Sequence, residues 1–313
     1  ANPERRVDVL TKRRSLADRL LAADPAVTDV LWLDRGAGRH AGIGGLLRLA
    51  RELRAHNYQR AWILHGSPRY ALAAWLAGIP ERIGYGFGAQ KYFVRRATCL
   101  PAAQRADHPI DKAAALLRRA GVALTETEPR LVLDAAQVAR AQEAYAASPR
   151  PWIALGIGSS EPAKQWGADR FAALAQSLLQ RGGSCFLIGG PDEKELADRI
   201  AAQTGASPHR LVRVTGLPID AVAALLSLCD RYAGNDTGVL NLAAAVGLRS
   251  VGIFGGSMPL RHSRFIVCVE PDADVIMERR GAGMYAGGER GMASIGVERV
   301  LQSLKIEGES SHA

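Results

Sequence analysis

Apolar positions along the chain fall into two alternating kinds. Short runs of four or five read as buried strands, and longer stretches spaced three and four apart read as helices. From the amino end, Val7–Leu10 reads as a strand, Ser15–Ala22 as a helix and Asp29–Leu33 as a strand. Gly42–His56 is a long amphipathic helix that puts Ile43, Leu46, Leu47, Leu49 and Leu53 on its apolar side. Arg60–Leu64 then predicts a strand, Arg69–Ala77 a helix, and Arg82–Tyr85 a strand after the turn Gly78-Ile79-Pro80. The glycine-rich run Gly84–Gly88 reads as a mobile surface loop, with a nucleotide loop as the alternative. His108–Lys112 opens a helix that Gly121 closes.

Composition shifts between Thr125 and Pro151, which places a domain boundary there and divides the chain into 1–130 and 131–313. After an alanine-rich helix, Ala135–Ala147, the alternation restarts cleanly. Trp152–Gly156, Ser184–Ile188, Arg210–Val214, Arg231–Gly234 and Ser250–Phe254 read as strands. Ala168–Gln180, Pro191–Ala202, Ala221–Leu228 and Val239–Val246 are the helices between them. Phe265–Val269 adds a strand, 281–291 is rich in glycine, and Val297–Leu304 is a final helix. Strand and helix in strict alternation predict an α/β fold with parallel sheets covered on both faces, here as two doubly wound domains.

The totals narrow the function classes. With 313 residues, 48% hydrophobic and 23% charged, the chain is an ordinary globular protein and not a disordered one. Its apolar runs, such as Ala71–Ala77 and Leu240–Val246, fall far short of the roughly 20 residues a membrane-spanning helix needs. A net charge of +9 favours anionic partners. The arginines are scattered without interleaved aromatics, which argues against nucleic acid and for phosphate-bearing small molecules or lipids. The four cysteines, Cys99, Cys185, Cys229 and Cys268, lie far apart and read as reduced, with no C-x-x-C pair to hold a metal. No secretory signal is evident, so a cytoplasmic location is expected.

In an open parallel sheet, ligands bind beyond the carboxyl ends of the strands. Four such ends in the second half carry candidates. After Gly156, the hydroxyls of Ser159 and Ser160 and the ammonium of Lys164 could reach a diphosphate; a polar loop with a solvated lysine would look the same. After Ile188, Glu193 could accept from ribose hydroxyls, or merely complement a helix dipole. After Val214, Leu217 could lie against a base, or be an ordinary buried residue. After Gly234, Asp236 is the expected N-cap of the next helix, with Thr237 and Gly238 offering amides to a phosphate; a plain capping turn would also account for them. Each signal is weak by itself, but together they describe one site.

The runs G-I-G-S-S-E-P-A-K-Q-W, I-G-G-P-D-E-K-E, T-G-L-P and G-N-D-T-G-V-L-N-L-A-A-A-V-G-L-R-S-V-G-I-F-G resemble the ADP-heptose:lipopolysaccharide heptosyltransferases, GT-B glycosyltransferases of family 9. G-I-P-E-R-I-G-Y and the helix beginning H-P-I-D-K are similar to that family's acceptor-side domain. The resemblance implies two Rossmann-like domains with a cleft between them, 1–130 on the acceptor side and 131–313 binding the donor. It implies that Ser159, Ser160 and Lys164 hold the donor diphosphate and Glu193 the ribose, with Leu217 against adenine. Asp236, Thr237 and Gly238 would anchor the phosphates and donor sugar. The expected reaction is inverting transfer of a heptose or related sugar from an ADP-sugar to a lipid-linked core saccharide. It would need no cofactor and no metal, and the enzyme would sit against the anionic inner face of the inner membrane.

Family members open with a strand, a glycine-containing loop bearing an Asp, and a helix, and that Asp is the expected base. This sequence starts beyond the corresponding position, so no catalytic residue is assigned and a truncated sequence is expected. Asn241 stands where many relatives carry His. The alternatives are a non-catalytic nucleotide-sugar-binding protein or a GT-B enzyme with another donor sugar. A nicotinamide-dependent dehydrogenase fits less well, because no G-x-G-x-x-G follows a strand.

Overall fold

The structure, a computed structural model, describes residues 6–36, 38–257, 259, 261, 263–271, 279–280, 284–285 and 288–305. The chain divides into two compact units, one formed by 7–17 with 28–128, the other by 18–27 with the chain from 129 onward.

In the first unit, β1 (Val7–Thr11) pairs with β2 (Val27–Trp32), whose first residue belongs to the other unit. Between them in sequence runs α1 (Ala17–Leu20), all but its first residue in the other unit and shorter than the helix predicted over 15–22, with a 3-10 turn at Arg13–Ser15 before it. Helix α2 (Gly42–Ala55) packs on α3 (Pro68–Leu76), and β3 (Arg60–Ile63) pairs in parallel with β4 (Glu81–Gly84). The described strands of this unit therefore form two pairs rather than one continuous sheet. Ser67 caps α3, its hydroxyl accepting from Arg69 N at 3.3 Å with Pro68 at the first helical position, so both ends of the start signal are used. Helix α4 (Pro109–Arg119) is capped the same way by His108, whose Nδ1 accepts from Ile110 N.

Two expectations fail here. Ile43 is 79% exposed and Leu47 47%, while Leu46, Leu49, Ala50 and Leu53 are buried. Helix α2 meets α3 at Ala71, Ala73 and Ala74, whose small side chains admit only a narrow stripe, and Ile43 and Leu47 flank it. The run Gly84–Gly88 is a packed corner and not a surface loop. Tyr85 and Phe87 are buried with Ile83, Leu100 and Leu116, and Gly86 N donates to the buried Gln90 side chain at 2.7 Å.

In the second unit, α5 (Ala135–Ala144) precedes β5 (Trp152–Gly156), α6 (Ala168–Gln180), β6 (Ser184–Gly189), α7 (Lys194–Thr204) and β7 (Leu211–Thr215). Then come α8 (Ile219–Leu228), β8 (Arg231–Asn235), α9 (Gly238–Ala245), β9 (Ser250–Ile253) and β10 (Ile266–Val269). These six strands form one parallel sheet in the order β10-β9-β8-β5-β6-β7. The chain builds outward from β5 to β7, returns to the centre, and builds the other way from β8 to β10. The order reverses between β5 and β8, where Gly156 faces Gly234.

Every residue of β5 is buried, as expected of a central parallel strand. On one face Phe171, Leu174 and Leu178 of α6 pack with Ile200 and with Val300 and Leu301 of a C-terminal helix. On the other, Val222, Leu225 and Leu226 of α8 and Leu240 and Ala243 of α9 meet Phe186 and Tyr232. Beyond β10, β11 (Arg279–Arg280) pairs antiparallel with β12 (Met284–Tyr285), followed by α10 (Gly288–Ser294) and α11 (Val297–Leu304). Of the glycine-rich stretch 281–291, residues 281–283 and 286–287 fall outside the described residues. Among the described residues, no helix is long and apolar enough to cross a membrane. Of the cysteines, Cys185 and Cys229 are buried, whereas Cys99 and Cys268 are only partly so.

Candidate donor site

The carboxyl ends of β5, β6 and β8 open into a cavity of about 440 Å³. Its wall includes Gly156 and Gly158, the loop residues Ser159, Ser160, Glu161 and Lys164, then Gly189, Gly190 and Glu193, and finally Asp236, Thr237, Gly238 and Val239. Seven of the eight residues singled out in the sequence therefore line one space: Ser159, Ser160, Lys164, Glu193, Asp236, Thr237 and Gly238. Leu217 does not. It is 40% exposed and lies outside that wall, just after Gly216, which adopts φ +81°.

The loop after β5 is held from beneath. Asn235, at the end of β8, is fully buried, and its amide nitrogen donates to Ile157 O (3.0 Å) and Gly158 O (3.2 Å). Its oxygen accepts from Trp166 N at 3.1 Å. The Trp166 ring is itself buried, edge-on to Phe171, with Nε1 donating to Ile295 O at 2.8 Å. The segment carrying Ser159, Ser160 and Lys164 is thus pinned at both ends, although most of it is solvent-facing. Ser159 closes a local turn, exchanging hydrogen bonds with Glu161 through its hydroxyl.

Lys164 Nζ lies 2.9 Å from Glu161 Oε1 and 3.3 Å from Asp236 Oδ2. Burial pulls its ionisation down, but the hydrogen bond to Glu161 and the Asp236 carboxylate outweigh that, so its pKa is raised above the ordinary lysine value. The ammonium is firmly charged.

Asp236 was expected to cap the following helix and does not. The N-cap of α9 is Thr237, which makes no side-chain capping bond, and the Asp236 carboxylate turns instead to Lys164 and to Ser257, whose hydroxyl donates at 2.6 Å. An ion pair and a hydroxyl donor outcompete the helix amides. The first intrahelical bond runs from Asn241 N to Thr237 O, so the amides of Gly238 and Val239 precede it, at the positive end of the helix. Asn241 donates through its own side chain to Thr237 O at 3.3 Å.

Glu193 closes a 3-10 turn, Pro191–Glu193, its Oε2 accepting from Gly190 N at 2.6 Å. A Cβ at Gly158, Gly189 or Gly190 would crowd its side chain, so glycine at these positions gives the carboxylate its place. The cavity thus sets one ammonium and a set of helix amides among three carboxylates, those of Glu161, Glu193 and Asp236. Amides and ammonium suit phosphate oxygens, whereas carboxylates suit hydroxyl donors. A ligand bearing both is the best match. Glu161, Tyr232, Asn235 and Ser257 were not singled out in the sequence; of these, Glu161 was legible as the residue three before Lys164.

The two α/β units, one of them built on an open parallel sheet, have the fold of GT-B glycosyltransferases, as the comparisons with solved structures show. The family model for glycosyltransferase family 9 (heptosyltransferase) matches residues 46–278, and the chain belongs to that family. It is 28% identical over 251 residues to lipopolysaccharide heptosyltransferase 2 of Escherichia coli strain K12, covering 77% of this chain and 72% of the relative. Its fold matches that of E. coli ADP-heptose lps heptosyltransferase II with a TM-score of 0.72 and 23% identity, over 96% of this chain and 89% of that one. The E. coli heptosyltransferase WaaC, solved with ADP-2-deoxy-2-fluoro heptose, superposes with a TM-score of 0.69 at 15% identity, over 96% and 90% of the two chains.

Proposed function

We propose that this protein transfers a heptose from ADP-heptose to the inner core of lipopolysaccharide, with inversion at the anomeric carbon. The observation that carries the reading is the cavity at the β5/β8 switch point, where Lys164 and the first-turn amides of α9 face the same space as Glu193 and Asp236. The relatives' names give the sugar and the acceptor class, and one fold relative was solved with an ADP-heptose analogue.

In this reading an acceptor hydroxyl oxygen bonds to the anomeric carbon as the bond from that carbon to the donor phosphate oxygen breaks. The acceptor proton passes to a general base, and ADP departs with the electron pair. Lys164 and the amides of Gly238 and Val239 stabilise the charge that develops on the diphosphate. Glu193 accepts from ribose hydroxyls, and Asp236, already engaged by Ser257 and Lys164, accepts from a hydroxyl of the sugar and not from phosphate, since two anions side by side repel. The residues serve donor binding with no cofactor beyond the ADP-sugar itself.

The test is calorimetric titration with ADP, UDP and NAD. ADP is expected to bind most tightly, and Lys164→Ala to weaken it. Equal affinity for UDP would sink the donor assignment and favour a GT-B enzyme of another donor. Binding of ADP-heptose without its consumption in the presence of acceptor would favour a binding protein instead.

The same reading places the protein at the cytoplasmic face of the inner membrane. Trp75 and Tyr92 are exposed, Phe93 packs against Trp75, and Lys91, Arg95 and Arg96 are exposed beside them. Aromatic rings flanked by basic side chains suit the headgroup layer of an anionic bilayer. Co-sedimentation with anionic vesicles, weakening as salt rises, is expected; binding that ignores salt would remove the electrostatic part.

A further inference from the structure

The floor of the candidate donor site holds an unsatisfied hydroxyl. Tyr232 lies on β8 with 0% of its surface exposed, and among the described residues its phenol oxygen has no partner at full hydrogen-bond geometry. A buried hydroxyl left in this state costs free energy, and native cores rarely keep one without use. The oxygen is wedged at the switch point itself. A Cβ at Gly156, which lines the cavity, or at Gly234, its neighbour across the β5/β8 ladder, would collide with it. Two glycines facing each other leave the room that this one oxygen fills.

Its polar neighbours belong to the donor site. Burial pushes the phenol's pKa well above its ordinary range; a weak hydrogen bond with the Thr237 side chain, too poorly aligned to satisfy the oxygen, opposes that shift, and the Asp236 carboxylate adds to it. Thr237 is the N-cap of α9, yet its hydroxyl makes no capping bond. Two hydroxyls thus stand next to each other at the floor and wall of the cavity, joined at best by a poorly formed hydrogen bond, and Thr237 keeps a hydroxyl that the helix does not use.

We propose that Tyr232 is a positioning residue for the donor diphosphate, acting through Thr237. With donor bound, the phenol donates a hydrogen bond to Thr237 Oγ1, and the Thr237 hydroxyl donates one to a phosphate oxygen. The hydroxyl of Thr237 is thereby fixed in direction, and the two bonds polarise each other. The inference rests on the donor reading of this cavity and adds to it a residue that never touches the ligand.

The experiment titrates ADP and inorganic pyrophosphate against the full chain and its Tyr232→Phe, Thr237→Val and doubly substituted forms, with melting of each unliganded protein. Tyr232→Phe is expected to weaken ADP about tenfold, the worth of one hydrogen bond. It should leave the unliganded melting temperature unchanged or raised, because an unsatisfied buried oxygen has gone. Adding Tyr232→Phe to Thr237→Val is expected to cost nothing further. Three results would overturn the inference: wild-type affinity in Tyr232→Phe, losses that add in the double variant, or a fall of several degrees in unliganded melting, which marks a purely structural tyrosine. If pyrophosphate binds and responds to Tyr232→Phe while ADP does not bind, the relay stands and the nucleotide reading fails. If ADP binds and Tyr232→Phe is silent, the reverse holds. If neither ligand binds the wild type, both are wrong.

Discussion

Lys164 Nζ stands 3.3 Å from Asp236 Oδ2, an ion pair that joins the loop after β5 to the end of β8 across the point where the strand order reverses. The pair holds the ammonium in the donor cavity before any ligand arrives. Removing it by Lys164→Ala is expected to weaken ADP binding about 10- to 100-fold, the range of a charge-assisted hydrogen bond of about 1.5–3 kcal/mol. Unchanged affinity by calorimetry would show that the amides of α9 bind the diphosphate unaided.

Glu161 occupies the other side of the same ammonium at 2.9 Å, so it competes with a phosphate for Lys164. Glu161→Gln is therefore expected to tighten pyrophosphate and ADP by about two- to fivefold, since an exposed pair of this kind is worth up to about 1 kcal/mol. A weaker complex in Glu161→Gln would mean that the carboxylate supports the ligand rather than competing with it.

Gly156→Ala is predicted to destabilise the second unit by about 1–3 kcal/mol, because the new methyl collides with the Tyr232 hydroxyl at the centre of the sheet. Combining it with Tyr232→Phe should recover part of the loss. Denaturant melts of the two single variants and the double give the coupling directly, and strict additivity would place the clash elsewhere.

Trp166→Ala is expected to cost about 3–5 kcal/mol, the usual range for a fully buried aromatic side chain. It should also loosen the Ser159–Lys164 loop that Trp166 and Asn235 anchor. Greater protease sensitivity of that loop at temperatures well below the melt would report the second effect separately from the first.

A pH test lies far from the cavity, in the first unit. Burial raises the pKa of Glu52, but hydrogen bonds from His40 (2.9 Å) and Arg39 outweigh it, and the pKa is lowered overall. A lowered carboxylate stabilises the fold above its unfolded pKa of about 4.3, and that contribution is lost as pH falls through the lower, folded value. The stability difference between wild type and Glu52→Gln is thus expected to be constant from pH 7 to about 5 and to vanish below. A difference that persists at pH 3 would assign the role of Glu52 to packing.

The second unit was legible because its strands are buried on both faces and its helices are bounded by glycines, so β5, α6 and α11 fall where the apolar pattern puts them. The cavity residues were legible for a related reason: strand ends in a doubly wound sheet share one edge, which brings Ser159, Glu193 and Thr237 together across 78 positions of sequence. What the pattern hid was direction. Asp236 has the composition of a cap, but a lysine and a serine distant in sequence supply better partners. Leu217 follows a strand end, yet it is exposed and lies outside the cavity wall. Ile43 and Leu47 carry helical spacing, yet the width of the buried stripe is set by the alanines of α3, which the sequence of α2 does not contain.

The short segment 18–27 belongs with the chain beyond residue 129, and Leu20 packs against the same apolar cluster as Leu131, Leu133 and Tyr145, while Arg19 pairs with Asp220 at 3.5 Å. The donor unit is therefore discontinuous in sequence. Chimaeras that exchange donor specificity between members of this family by a single crossover near residue 129 would leave that apolar face matched to the wrong parent. A working exchange has to carry residues 18–27 across with the half beyond residue 129, which takes crossovers on both sides of that segment as well as the one near 129.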